Sequence, residues 1–370
     1  MKLSWLLPFV IACGGSASST SAVHGTPGSM QIPAAAPTPE HTGAPASDTR
    51  VSASAATRPS SPGEAPPSLA WLPEVGFGAP GPIRVEGYTR RVHTGMNDPA
   101  DRVGFSADGE YLGYCATIGA RDPGYTLCEL LPRTGEALRL ESDVKNQYDP
   151  AAAKRLEAWV KEHGIPAIRA DTKDVREPTA PKLEGTWRFA QDITLAVEER
   201  AQGKRGAAVR VGGRVGSEAP VFPVFVDRAP SHGLNPFHTS WVNSFTLSPD
   251  GRELGLVAGF FCMEWCDAFT VRRLDVSRLA SQIFNDTGMR HHGKADYRGS
   301  AALFAKAVHA DPTHALAAYN LACAYARLRD PSTKPALDYA VRVGGDAVLE
   351  RAKRDPDFDA VRTETWWPAK

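Results

Sequence analysis

Between Gly14 and Ser68 the chain has almost nothing with which to build a core. Gly, Ser, Ala, Thr and Pro dominate, and the large apolar residues Val23, Met30, Ile32 and Val51 stand isolated. Such a stretch cannot bury enough apolar surface to offset the entropy of ordering it. It predicts an unstructured tether, extended in places by its prolines. Any fold is therefore confined to the residues that follow, about 300 of them, enough for two modest domains.

The residues ahead of this stretch explain why a tether is there. Lys2 precedes a short apolar run, Leu3 to Ala12. Charge followed by a short apolar run is the order of an export signal. The run falls short of the roughly 20 residues that a membrane-spanning helix needs. Val10, Ile11, Ala12 and Cys13 resemble the lipobox of bacterial lipoproteins. The resemblance implies removal of residues 1–12 and lipid on Cys13, with 13–68 as the anchored linker. Gly14, rather than Asp, after the cysteine implies the outer membrane, by similarity to enterobacterial sorting. Several acyl chains on one cysteine make a stable anchor, whereas a single chain holds only marginally.

From Trp71 to about Leu279 the pattern is mainly strands and turns, which gives a β-rich domain over 69–280. Two stretches repeat one another: RVGFSADGEYLGYCATIG from Arg102 and NSFTLSPDGRELGLVAGFFC from Asn243. Each reads as strand, S-x-D-G, strand. Asp108-Gly109 and Asp250-Gly251 are hairpin turns, because Gly tolerates positive φ. The element resembles the S-P-D-G-[RK] turn of bacterial β-propeller repeats, the TolB-like kind. Propeller blades recur about every 40–45 residues. Only two copies occur here, about 140 residues apart. An open or irregular sheet made of two related halves is the other reading.

Cys115 and Cys128 bracket a stretch with turn chemistry at Asp122, Pro123 and Gly124, which predicts two paired strands joined by a disulfide. Cys262 and Cys266 bracket Met-Glu-Trp in a second expected hairpin with its own disulfide. Export to an oxidising compartment permits both. A three-residue separation also serves metal ligands, but no second CxxC or His pair lies nearby, and no metal or cofactor is expected. Cys323, among small residues, reads as a buried small hydrophobe. Between the two halves, YDPAAAKRLEAWVKEHGIP predicts a helix capped by Asp149, with Leu156, Trp159 and Val160 on one face packed on the sheet. The loop SHGLNPFHTSW carries Ser231, His232, His238 and Ser240. A nucleophile and base could be drawn from it, but capping residues in a polar loop account for the same letters.

From about Ser281 the period becomes helical, which defines a second domain, 281–370. FNDTGMRHHGKADYRGSAALFAKAVHADP resembles a tetratricopeptide repeat through Gly288, Tyr297, Phe304, Ala307 and Pro312. The next unit continues the resemblance with Tyr319, Leu321, Ala322 and Tyr325. It departs at Asp330–Pro335, so that its second helix is expected near Ala336. AVLERAKRDPDFDAVR resembles the closing helix and D-P-D-F tail that follow such arrays. Two units bury themselves poorly, so they should lean on the β-rich part or on a partner. The resemblance implies a surface for peptides or proteins, not an active site. His291, His292 and His309 flank the first unit and read as surface residues rather than metal ligands.

Fold class is thus expected to be α+β, a mainly β body with a helical insert followed by helical hairpins. Acidic and basic residues balance, 42 against 42, and no basic stripe offers a footprint for nucleic acid. No G-x-S-x-G elbow is present. The expected function is an envelope lipoprotein that binds a protein or a polymer. The alternatives are a hydrolase-like envelope enzyme with a site in the β-rich domain, or a purely structural assembly factor.

Overall fold

The two S-x-D-G stretches fold with the same bonds, atom for atom. In the first, Ser106 Oγ donates to Asp108 Oδ1 (2.5 Å) and accepts from Tyr111 N (3.0 Å), while Asp108 Oδ1 accepts from Glu110 N (3.0 Å). In the second, Ser248 Oγ donates to Asp250 Oδ1 (2.6 Å) and accepts from Glu253 N (2.9 Å), while Asp250 Oδ1 accepts from Arg252 N (3.1 Å). Gly109 (φ 74°) and Gly251 (φ 69°) supply the left-handed residue that the turn requires. The serine hydroxyl first, with help from a backbone N–H, holds each aspartate below the usual carboxylate range. The repeat in the letters is therefore a repeat in hydrogen bonding.

The structure, a computed structural model, describes residues 68–87, 102–118, 125–142, 154, 158–164, 186–200, 207–228, 239–261 and 267–367. All lie within one compact unit, Pro66–Lys370. The first S-x-D-G turn joins β2 (Arg102–Phe105) to β3 (Tyr111–Ile118), and β4 (Tyr125–Pro132) and β5 (Leu138–Ser142) complete an antiparallel sheet in chain order. The second joins β9 (Thr239–Leu247) to β10 (Glu253–Phe261), and β11 (Asp267–Asp275) closes a three-stranded antiparallel sheet. A third sheet contains β6 (Ile193–Arg200), β7 (Ala208–Val215) and β8 (Val221–Arg228), with the short β1 (Val85–Glu86) parallel to β6. The described strands thus form three small sheets, not one sheet of two halves.

The two S-x-D-G sheets are fastened by arginines. Arg273 of β11 is almost buried. It donates to the carbonyls of Gly109 (2.8 Å), Glu110 (2.7 Å) and Leu131 (3.0 Å), pairs with Glu253, and lies over the Phe105 ring at 5.2 Å. Arg133, just after β4, reaches Asp250 (2.9 Å) and Glu253 (3.1 Å). Under them Phe105, Leu112, Tyr114, Val257 and Val271 form a shared core. Cys115 and Cys128 are opposite one another on β3 and β4 and are joined by a disulfide. On that face the helical residues 158–162 bury Val160 against the disulfide and Leu130, with Trp159 partly buried beside them. The insert's Leu156 lies outside the described residues.

Helix begins without a linker. Asp275 ends β11, and its carboxylate caps α1 (Val276–Gly293) through Arg278 N at 2.9 Å. Helix starts at Val276, ahead of Ser281 where the periodicity changes. It is followed by α2 (Tyr297–Ala310), α3 (Ala315–Leu328), α4 (Thr333–Gly344) and α5 (Asp346–Ala352), then a 3₁₀ turn (Pro356–Val361). Helix α4 begins at Thr333, one turn before Ala336. The hairpins do lean on the β-rich part: Ile283 of α1 packs so closely on β7 that a Cβ at Gly213 would lie 2.6 Å from it. Arg290 donates to Ala219 and Pro220 carbonyls in the β7–β8 turn, at 2.6 Å each.

Residues 68–87 run along both parts. Trp71 packs on Tyr339 of α4 (ring centroids 5.4 Å), and His309 of α2 bonds Pro73 O (3.0 Å). Phe77 meets Phe189 edge-on at 4.9 Å and Phe284 of α1 at 6.0 Å. The segment then joins the sheet at β1.

Candidate functional site

Every residue of α3 from Ala317 to Ala326 is buried. A helix buried all round is packed on all sides. Helices α2 and α4 cover two of them. The rest is covered by α1 and by the segment after α5. The small residues at the crossings allow this: a Cβ on Gly288 would fall 2.7 Å from the Phe304 ring, so only glycine lets α1 and α2 approach so far. Asn320 of α3 donates to Asn285 of α1 (2.9 Å) and ties the two helices side by side.

The shared face of α1 and α3 ends in a histidine and an arginine. His292 sits in the last turn of α1 and Arg327 in the last turn of α3. Positive charge is favoured there, because the helix C-terminus carries partial negative charge. Tyr297 links them. Its hydroxyl accepts from Arg327 (2.7 Å), Arg327 lies over its ring (4.9 Å), and the His292 ring meets it edge-on (5.0 Å).

An acidic segment, Asp355-Pro356-Asp357-Phe358, lies on this face. Asp355 starts its 3₁₀ turn, accepting Asp357 N on Oδ1 (3.0 Å), and Pro356 suits the first position. The other oxygen of Asp355 accepts the Tyr319 hydroxyl (2.6 Å) and faces Cys323 Sγ (4.0 Å). Asp357 faces His292 (3.2 Å) and Arg327 (3.7 Å). Phe358 is fully buried, 5.9 Å from the Tyr319 ring and 5.4 Å from Trp367. Asp355 and Asp357 are 8% and 7% exposed, so both carboxylates need partners to be tolerated there. Burial, together with Cys323 and Asp355, pushes the Tyr319 phenol far up, which keeps it a hydrogen-bond donor. Arg351 lies over its ring at 4.5 Å.

Two other constellations can be tested on geometry. Ser281 Oγ and His314 Nδ1 are 2.7 Å apart. The hydroxyl, however, donates to Ala307 O at 2.7 Å, so Nδ1 carries the hydrogen and donates to Ser281. A ring nitrogen in that role cannot serve as the base for this serine. Among the described residues Cys323, Asp355 and Asp357 bring donor atoms of metal-ligating type within 4.8 Å of one another. Each is already engaged: Asp355 by the turn it caps and by Tyr319, Asp357 by His292 and Arg327, Cys323 by Asp355. The capping network accounts for the cluster.

Cys13, Cys262, Cys266, Ser231, His232 and His238 lie outside the described residues. Ala307, Leu321, Ala322 and Tyr325 are buried where the helices cross, and Pro312 offers its carbonyl to Tyr339 (2.9 Å). His291 pairs with Asp296 (2.7 Å). Cys323, expected as a small hydrophobe, is buried but lies against a carboxylate. Sequence reasoning does not pick out His292, Arg327, Asp355 and Asp357 as a set. One signal could have found part of it: Asn285 and Asn320 are 35 residues apart, and His292 and Arg327 share that spacing, which puts both pairs at matching places on α1 and α3.

Among the described residues no helix is long and apolar enough to cross a membrane. No family model, no curated protein and no solved structure matches this chain.

Proposed function

We propose that this chain is a cell-envelope lipoprotein, held by lipid on Cys13, that binds another protein through tetratricopeptide-like hairpins. The observation that carries the binding reading is a peptide segment seated across two helices. Residues 355–358 are recognised by His292, Tyr319 and Arg327 much as a short linear ligand would be. The signal-like residues before Cys13 and the core-poor stretch after it support the anchor.

Two measurements test the proposal. Cys13→Ser should move the protein from the membrane to the soluble envelope fraction; unchanged membrane attachment sinks the lipid reading. Cross-linking of the full chain in solubilised envelopes should yield a protein partner whose cross-links map to the C-terminal ends of α1 and α3, around His292 and Arg327, and Arg327→Glu should reduce its yield. Equal yield from both chains, or cross-links confined elsewhere, rules out this face.

A further inference from the structure

We infer that residues 355–367 are a ligand held in cis, and that the partner presents the same chemistry: two carboxylates bracketing a proline, followed by an aromatic ring. The inference deepens the binding reading and rests on it. Its starting point is how the segment is held. A closing element selected for stability alone would bury apolar side chains, because buried ion pairs add little and are often replaced by apolar groups without loss. Here two nearly buried carboxylates meet polar groups on α1 and α3, and Asp357 faces the His292 ring at one helix end and the Arg327 guanidinium at the other. Such an arrangement fixes which chemistry fits the face more than it strengthens the fold.

The fit is also incomplete. Asp357 Oδ2 is buried yet accepts no well-directed hydrogen bond, and Arg362 Nε is buried without a partner. Arg327 approaches Asp357 through a single nitrogen at 3.7 Å, not through the two-pronged geometry that arginine offers a carboxylate. A competing acidic segment that engages Arg327 with both prongs would gain what the resident segment leaves unmade. At the aromatic end Phe358 packs on the Tyr319 ring, which Arg351 also covers, while Trp367, carried by the segment itself, packs on Phe358. Acid recognition at one end and the Tyr319 ring at the other select an acidic-aromatic peptide. The resident segment competes with that peptide at high effective concentration, so the free chain is shielded until a better-fitting ligand arrives.

The test uses the full chain and a labelled synthetic peptide with the sequence of Lys353–Trp367. Asp355→Asn with Asp357→Asn keeps the turn-capping chemistry and removes both charges, so the resident segment is weakened in place. The double variant should bind the peptide at least about ten-fold more tightly than the unaltered chain. Adding Arg327→Gln should cut that affinity at least about ten-fold, and a scrambled peptide should not bind. Equal binding by both chains, or equal binding of the scrambled peptide, overturns the inference. Should the double variant not fold, hydrogen exchange of the unaltered chain decides. The Asp357 and Phe358 amides should exchange well ahead of α3, and faster with excess peptide; exchange at the rate of α3 overturns it. A partner that cross-links to α1 and α3 while the peptide fails in every arm would leave the binding reading standing and remove only the cis ligand.

Discussion

Two residues in the helical hairpins show how far single positions decide stability. At Gly288 two effects oppose. Alanine would gain about 1 kcal/mol of helix propensity. Its Cβ would press on a fully buried Phe304 ring, and overpacking costs about 1–3 kcal/mol. The expected net effect of Gly288→Ala is a loss on the order of 1 kcal/mol, with a larger loss for Gly288→Val, read from denaturation midpoints. His314 makes a prediction in pH. Burial of its ring, the largest effect, and the nearby Arg278 outweigh Asp311 and lower its pKa to about 4. The unfolded chain takes up a proton near pH 6.5 that the folded chain refuses until about pH 4. Stability is therefore complete above about pH 6.5 and falls as pH drops through that window, by about 2–3 kcal/mol at about pH 4.5. His314→Gln should lose correspondingly less between about pH 7 and about pH 4.5; parallel losses would show that the ring is not the cause. Gly288 is legible in the sequence because glycine weakens a helix interior, so its presence in a helical period points to a close crossing. His314 is not, because its role depends on Ser281, 33 residues away, and no local pattern relates them.

At the level of elements, local chemistry can be read and partnership cannot. The two S-x-D-G turns, the Cys115–Cys128 strand pair and the helix ends all rest on residues close together in the chain. The division into three sheets does not. It depends on Arg273 reaching carbonyls on the first S-x-D-G turn and on β4, and on the parallel pairing of β1 with β6, contacts between residues far apart in sequence. The strand and helix regions are thus legible, whereas how the sheets face one another is not. The same distinction hides the candidate site, since D-P-D-F is readable as a capped turn but the face beneath it belongs to two other helices. The disulfide gives the prediction at this scale. Its cysteines are 13 residues apart, and such a crosslink contributes about 3 kcal/mol by restricting the unfolded chain. Cys115→Ala with Cys128→Ala should lower stability by about that amount, and reductant should then have no further effect on the variant. A double variant as stable as the parent would mean that Val160 and Leu130 hold the strand pair without the bond.

The whole molecule is organised around the segment 68–87, which touches α4, α2 and α1 in turn before it enters the third sheet. Its contacts form clasps in series. Trp71 on Tyr339 is the outermost, Phe77 between Phe189 and Phe284 comes next, and the β1–β6 ladder is last. A pulling force applied ahead of Ser68 meets them one at a time: the first two peel away, while the parallel ladder is loaded in shear. The junction therefore works as a mechanical fuse. It yields in small steps and spares the sheets and hairpins behind it. A force-extension record with one handle at Ser68 should show release of at most about 60 Å before the main unfolding event, and Trp71→Ala should remove the earliest step. If the body unfolds all at once with no earlier release, the segment is not a fuse and tension on the chain passes undamped into the core.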